Sequence, residues 1–287
     1  MITHKLNKLP KNTYQITATI PWKEIEKEYE KSFEKLSEDL TVEGFRKGKA
    51  PKKIAEEHLS KDKVFNHMIR SLLPVIYSDI VKKEEIKPII SPKIDLQQAK
   101  EGEDWVILFT VVERPDVDLK NYQETVKKAK AEAKKADIWV PGTEEKKPNP
   151  EQSSQEQMNV VLNSLLKNVP CEIPDLIIEE ELQQRLTRLV DDVQKLGLTM
   201  ENYVQSKGTT IEDLKKQYTK EIEEMYKIEF ILGAIGDEQK IEVNDSDIEE
   251  LVNHAKDEKE REFAKQNAYY YASFMRKQKT LAYLLDL

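Results

Sequence analysis

Residues 13–40 read TYQITATIPWKEIEKEYEKSFEKLSEDL, and the hydrophobic period changes once inside them. From Thr13 to Ile20 the alternation is strict. Tyr14, Ile16, Ala18 and Ile20 face one way, while Thr13, Gln15, Thr17 and Thr19 face the other, which is a strand with one buried face. Pro21, whose fixed φ suits a first helical position, then opens a helix. In it Trp22, Ile25, Tyr29, Phe33, Leu36 and Leu40 recur at spacings of three and four, giving one buried stripe.

Working outward, residues 2–9 can pair with the strand across Pro10-Lys11-Asn12. A second helix is expected over 64–83, carrying Ile69, Leu72, Leu73, Ile76 and Ile80, with a kink at Pro74. Two extended runs follow, 89–96 and 105–112, separated by the turn-like Lys100-Glu101-Gly102-Glu103. The order strand–strand–helix–helix–strand–strand predicts an α+β N-terminal domain over 1–115, an antiparallel sheet with helices on one face.

Residues 124–157 change character. Fourteen of these 34 residues are charged, and only Val126, Ile138, Trp139 and Val140 are large and apolar. The segment 116–153 therefore reads as a helical start, to about Ala136, followed by a charged, Pro-containing linker unable to build a core. Ile138-Trp139-Val140 is expected to pack on a neighbouring element. From 154 to 287 the helical period returns as an elongated all-α domain, making the chain mainly helical overall. Ile178, Leu182, Leu186, Leu189, Val193 and Leu196 form one stripe. Thr210 with Asp213 caps a helix carrying Ile211, Leu214, Tyr218, Ile222, Met225, Ile228, Leu232 and Ile235. A third helix is expected from Asn244 through Ile248, Leu251, Val252 and Ala255. A fourth, about 257–280, is apolar or aromatic around much of its circumference, with Phe263, Tyr269, Tyr270, Tyr271, Phe274 and Met275.

Composition narrows the function classes. Of 287 residues, 35% are charged and only 8 are Gly, against a usual share of about 7%. This suits long solvated helices and argues against a Gly-rich nucleotide-cradling fold. The longest largely apolar run, Trp105–Val112, falls far short of the ~20 residues that span a bilayer, and MITHKLNKLP lacks a secretory apolar core. The single Cys171 excludes an intrachain disulfide and a thiolate metal cluster. His4, His58, His67 and His254 show no i, i+4 zinc pairing. No nucleotide, nucleophile-elbow or metal motif is present, so no enzyme activity, cofactor or metal is expected. The net charge is −8, yet residues 1–115 hold 21 Lys+Arg against 19 Asp+Glu, and 116–287 hold 25 against 35. Arg46, Lys47, Lys49, Lys52 and Lys53 concentrate five cations in eight residues without an acid.

That cluster belongs to the string Gly44-Phe45-Arg46-Lys47-Gly48-Lys49-Ala50-Pro51, between two expected helices. Gly44 and Gly48 allow positive φ and a tight excursion. Pro51 pre-sets the start of a short helix over 52–59. An aromatic inside a cationic ring suits a surface that mixes phosphates with protein.

The string resembles the signature of trigger factor, the bacterial ribosome-associated chaperone family. The resemblance extends over 2–115, including Leu72-Leu73-Pro74 and Val112-Glu113-Arg114-Pro115. It continues through Val169-Pro170, Ile173-Pro174-Asp175 and Ile178-Glu179-Glu180-Glu181-Leu182, and through the closing Thr280-Leu281-Ala282-Tyr283-Leu284-Leu285. Full-length members carry an FK506-binding-type prolyl isomerase domain between these parts. Here the interval 116–173 has 58 residues, mostly linker, so isomerase activity is not carried over.

By resemblance, Gly44, Phe45, Arg46, Lys47, Gly48, Lys49 and Pro51 would form the ribosome-binding loop, with Lys52 and Lys53 in support. The loop would dock on a ribosomal protein and RNA of the large subunit near the tunnel exit. The helical domain would form a cradle for unfolded or nascent polypeptides, with Met225, Tyr269, Tyr270, Phe274 and Met275 as candidate contacts. Each of these five could equally pack the array's own core. The expected setting is cytoplasmic, without membrane or DNA partners. The alternative is a ribosome-binding or assembly scaffold without general chaperone activity; a periplasmic chaperone fits less well.

Overall fold

The computed structural model describes residues 2–136, 150–244, 246–247, 261–262 and 267–287. Ile138-Trp139-Val140, the apolar positions from Ile248 to Ala255, and Phe263 lie outside the described residues. The chain divides into two compact units, Met1–Arg114 and Pro115–Leu287.

The first unit contains a four-stranded antiparallel sheet of β1 (Thr3–Leu9), β2 (Thr13–Ile20), β3 (Lys93–Gln98) and β4 (Trp105–Val112), in the order β1-β2-β4-β3. The register aligns inward residues across all four strands. Leu6, Ile16, Phe109 and Ile94 form one row, and His4, Ala18, Ile107 and Leu96 form the next. β1 and β2 turn through Pro10-Lys11-Asn12, where Lys11 and Asn12 adopt positive φ. Asn12 Nδ2 donates to Arg114 O at 2.8 Å, tying the turn to the end of β4.

Helices α1 (Trp22–Glu38), α2 (Lys52–His58) and α3 (Lys61–Lys83) complete this unit. Pro21 is the N-cap of α1 rather than its first helical residue. The orphan Trp22 N–H donates instead to the Asp104 carboxylate at 2.9 Å, an anion at a helix N-terminus. α3 begins earlier than the periodicity suggests, because Ser60 caps it by accepting from Lys63 N–H. It continues through Pro74 as one helix. Ile25 of α1 and Met68, Leu73, Ile76 and Ile80 of α3 pack with Ile16, Ile20, Ile107 and Phe109 in a single buried cluster. The opposite sheet face carries Thr17, Thr19 and Thr110, which keep partial exposure. β3 stays exposed along its whole length, so Ile94 and Leu96 are the uncovered ends of their rows.

The second unit comprises α4 (Tyr122–Ala136), α5 (Pro150–Asn168), α6 (Asp175–Lys195), α7 (Met200–Ser206), α8 (Ile211–Glu238) and α9 (Ala268–Asp286). α4 ends at Ala136, where the sequence places the end of a helical start; it packs along α5, with Tyr122 and Val126 buried, and α5 begins at Pro150, four residues before the expected return of the helical period. The stripe of α6 is only half-covered. Ile178, Leu182, Leu186 and Leu189 keep partial exposure, Val193 is buried, and Leu196, at the C-cap, is 73% exposed. The fully covered residues at this helix start are instead Ile173, Leu176 and Ile177.

Thr210 caps α8 as its sequence suggests, accepting from Asp213 N–H at 3.1 Å. Leu214, Ile222, Leu232 and Ile235 of its stripe are buried, as is Ile231. α9 packs on α8 and α5, with Leu284 and Thr280 both buried. Gly236 lets α8 and α9 approach: a Cβ there would lie 3.2 Å from Thr280 Oγ1. Arg276 Nε donates to Ile241 O and its Nη2 to Asp237 Oδ1, both at 2.7 Å. The buried Tyr122 hydroxyl accepts from Gln239 Nε2 at 3.0 Å, linking α4 to the residue after α8.

Candidate functional site

The loop between α1 and α2 is a small built object. Val42 is buried at its entrance, 8% exposed. Phe45 N–H donates to Val42 O at 3.1 Å, and Lys49 N–H donates to Arg46 O at 2.9 Å. Gly48 N–H donates to Leu40 O at 3.0 Å, folding the loop back on the end of α1. Both bracketing glycines have left-handed backbones, φ +85° at Gly44 and +74° at Gly48. They differ in surroundings. A Cβ at Gly44 would meet nothing within 4 Å, whereas one at Gly48 would sit 2.5 Å from Glu38 O. Pro51, with φ −57°, is the N-cap of α2, and its carbonyl accepts from Ile54 and Ala55 N–H.

This backbone presents Phe45, 40% exposed, with Arg46, Lys47, Lys49 and Lys53 also exposed around it. Two of the cations lean on carboxylates of α1 and its cap. Lys47 Nζ stands 2.8 Å from Asp39 Oδ1, and its hydrogen bond and charge hold the Asp39 carboxyl below its ordinary range. Lys52 Nζ lies 3.6 Å from Glu30 Oε1 and 6.0 Å from the Phe33 ring centroid. Among the described residues, Arg46, Lys49 and Lys53 have no carboxylate within 4 Å. The loop and the first turn of α2 thus offer an aromatic ring and three uncommitted cations, and guanidinium can fork onto phosphate or carboxylate.

The five cradle candidates fall on two packed helices of the second unit. Met225 lies on α8 and is 49% exposed. On α9, Tyr269 is 90%, Tyr270 69% and Phe274 49% exposed, while Met275 is half-buried. Four of the five are therefore outside the unit's own core. Leu196, which the sequence places on the α6 stripe, and Leu198, which it does not single out, are exposed at the turn between α6 and α7 and join this class. Their signal is Gly197, at φ +73°, which follows the C-cap Leu196 and ends α6 between the two leucines. Among the described residues no group of three or more His, Cys, Asp or Glu could hold a metal ion. No described helix is long and apolar enough to cross a membrane.

Residues 2–139 match the family model of the bacterial trigger factor protein, and residues 143–284 match that of the trigger factor C-terminus. Only residues 140–142 lie between the two matches. The trigger factor of Streptococcus pneumoniae (strain JJA) is 32% identical over 108 residues, 38% of this chain and 25% of that protein. That of Mycolicibacterium vanbaalenii is 32% identical over 114 residues, 40% of this chain and 24% of that protein. The aligned stretch spans about a quarter of these relatives. A solved structure from a study of "promiscuous substrate recognition in folding and assembly activities of the trigger factor chaperone" superposes with a TM-score of 0.63. It covers 99% of both chains at 14% identity, a likeness of fold. With the glycine-bracketed cationic loop in its first unit and both halves matched in order, the chain belongs to the trigger factor family.

Proposed function

We propose that this protein is a ribosome-associated chaperone that docks through the loop from Gly44 to Pro51 and shields unfolded or nascent polypeptides on its helical unit. The observation that carries the docking reading is the display of Phe45 with Arg46 and Lys49 on a loop whose backbone is set by two left-handed glycines. Phe45 inserts into an apolar pocket of a ribosomal protein, and the cations meet RNA phosphate and carboxylate around it, near the tunnel exit of the large subunit. Lys47, Lys52 and Lys53 reinforce the local positive field. Met225, Tyr269, Tyr270, Phe274 and Met275 supply weak, adaptable contacts to exposed apolar segments, a role suited to Met and aromatic side chains. The chain works in the cytoplasm and does not catalyse prolyl isomerisation.

Substituting Phe45, Arg46 and Lys47 together with Ala is expected to abolish co-sedimentation with ribosomes while leaving the fold intact. Unchanged co-sedimentation would overturn the docking assignment. Suppression of aggregation of several unrelated unfolded proteins tests the second half of the reading. Protection of none of them would leave a ribosome-bound scaffold in its place.

A further inference from the structure

Asp39 is an unfavourable residue for its position. It is the C-cap of α1, in an αR backbone, where the negative end of the helix dipole disfavours a carboxylate. Its side chain is largely exposed, so packing does not require it there. Its partner is Lys47. The Gly48 N–H to Leu40 O bond folds the loop back on the end of α1 and brings Lys47 Nζ to 2.8 Å from Asp39 Oδ1. The hydrogen bond and charge of Lys47 keep the Asp39 carboxyl below its ordinary range, so it stays ionised at neutral pH. Glu38 and Glu43, the carboxylates nearest to it along the chain, are exposed and hold no cation within 4 Å among the described residues. Arg46 and Lys49, the cations on either side of Lys47, are uncommitted in the same sense. The contact between Asp39 and Lys47 is therefore selective within a segment rich in both charges.

We propose that Asp39 tunes docking: it holds Lys47 in the free protein and yields it to a phosphate of ribosomal RNA on the ribosome. The inference rests on the docking role of the loop and names a residue outside the loop that sets its strength. Two anions within reach of one ammonium repel each other, so a phosphate that takes Lys47 must displace Asp39. Whatever the pair contributes in the free protein is then subtracted from the docked state. Lysine suits such an exchange, because its compact charge on a flexible stem moves between anions without re-aiming a planar fork. Arg46 has no carboxylate to leave and engages without this cost. The incoming anion is phosphate because Arg46, Lys49 and Lys53 gather further positive charge around Lys47. Such a cluster matches the closely spaced charges of RNA better than a lone carboxylate. Asp39 thereby keeps the loop from binding as tightly as its cations alone would allow.

The test is quantitative co-sedimentation of the full-length chain with bacterial ribosomes over a series of salt concentrations. Asp39→Asn removes the charge and keeps the cap, since Asn is well accepted at a helix C-terminus. It is expected to tighten binding about two- to fivefold at low salt, the range of an exposed ion pair, and to lose that gain at high salt. Glu38→Gln removes the same charge one residue away and should leave the affinity within about 1.5-fold. In a Lys47→Ala background the gain from Asp39→Asn should fall to the level of Glu38→Gln, because nothing remains for Asp39 to withhold. Lys47→Ala alone should flatten the plot of log affinity against log salt by about one unit, the mark of a lost phosphate contact. Asp39→Asn binding no tighter than wild type, or tightening equally with and without Lys47, would overturn the proposal. An unchanged salt slope for Lys47→Ala would assign Lys47 to a protein carboxylate and overturn it as well. Wild-type binding by the triple Ala variant of Phe45, Arg46 and Lys47 would instead overturn the docking reading itself, so the two failures read out separately.

Discussion

Replacing Gly48 with Ala is the sharpest test of how the loop is built, with Gly44→Ala as its matched control. Both positions have positive φ, so each Ala incurs roughly 1–2 kcal/mol of left-handed strain. Reduced freedom of the unfolded chain returns about 0.4–1 kcal/mol of this. At Gly44 nothing lies within 4 Å of the added methyl, so the balance is a loss near 1 kcal/mol. At Gly48 the methyl would stand 2.5 Å from Glu38 O, a backbone atom of α1 that no side-chain rotation can move aside. Relief requires the loop to lift away, breaking the Gly48 N–H to Leu40 O bond, about 1 kcal/mol, and adding overpacking of about 1–3 kcal/mol. Gly48→Ala should therefore cost about 3–5 kcal/mol in total, some 2–4 more than Gly44→Ala. Urea unfolding followed by Trp fluorescence measures this in a Trp139→Phe background, where Trp22 and Trp105 of the first unit report. Ribosome co-sedimentation should fall with Gly48→Ala and largely survive Gly44→Ala. Stabilities of the two variants within 0.5 kcal/mol of each other would refute the close approach as the reason for glycine.

Two further perturbations probe the two units separately. Phe109→Ala, in the centre of the sheet, should cost about 3–5 kcal/mol, whereas Ala at its cross-strand neighbour Ile94, 42% exposed, should cost under about 1 kcal/mol by urea unfolding. In the second unit, burial chiefly holds the Tyr122 pKa up at about 12. A raised folded pKa means stability is complete below the unfolded value near 10 and is lost as pH rises toward 12, by about 2–3 kcal/mol. Tyr122→Phe should flatten the wild-type decline between pH 10 and 12 by that amount, measured by helical circular dichroism on thermal melting; parallel declines would refute the assignment.

What the sequence reveals of this fold depends on how completely each face is covered. β2 and β4 are legible because the helices bury their inner rows, and burial forces apolar residues into strict alternation. β3 has no such cover, and its run KIDLQQ keeps only Ile94 and Leu96, so its start is misplaced by several residues. α6 shows the converse difficulty. Spacing says which residues share a face but nothing of what lies against it, and α7 and α8 cover that face only in part. The end of α4 at Ala136 matches the sequence reading, and its contact line is short-chained. Tyr122 and Val126 are followed at helical spacing by Ala129 and Ala133, both half-buried, and small residues let α5 approach without a large apolar stripe.

The same reasoning explains why the loop is readable residue by residue and the proposed client surface is not. At Gly48 the backbone angle disfavours a side chain and the nearby Glu38 carbonyl excludes one, so the amino acid is dictated by geometry. At Arg46 and Lys49 the proposed docking asks for a charge at a given point on that backbone, which few residue types can supply. Tyr269, Tyr270 and Phe274 answer to a looser condition, because any large apolar group left exposed on α9 would present similar area. A single substitution among them should therefore change client protection little, while one at Gly48 should disable docking. A surface that must accept many partners distributes its binding over interchangeable side chains, and interchangeability is what removes a motif from sequence.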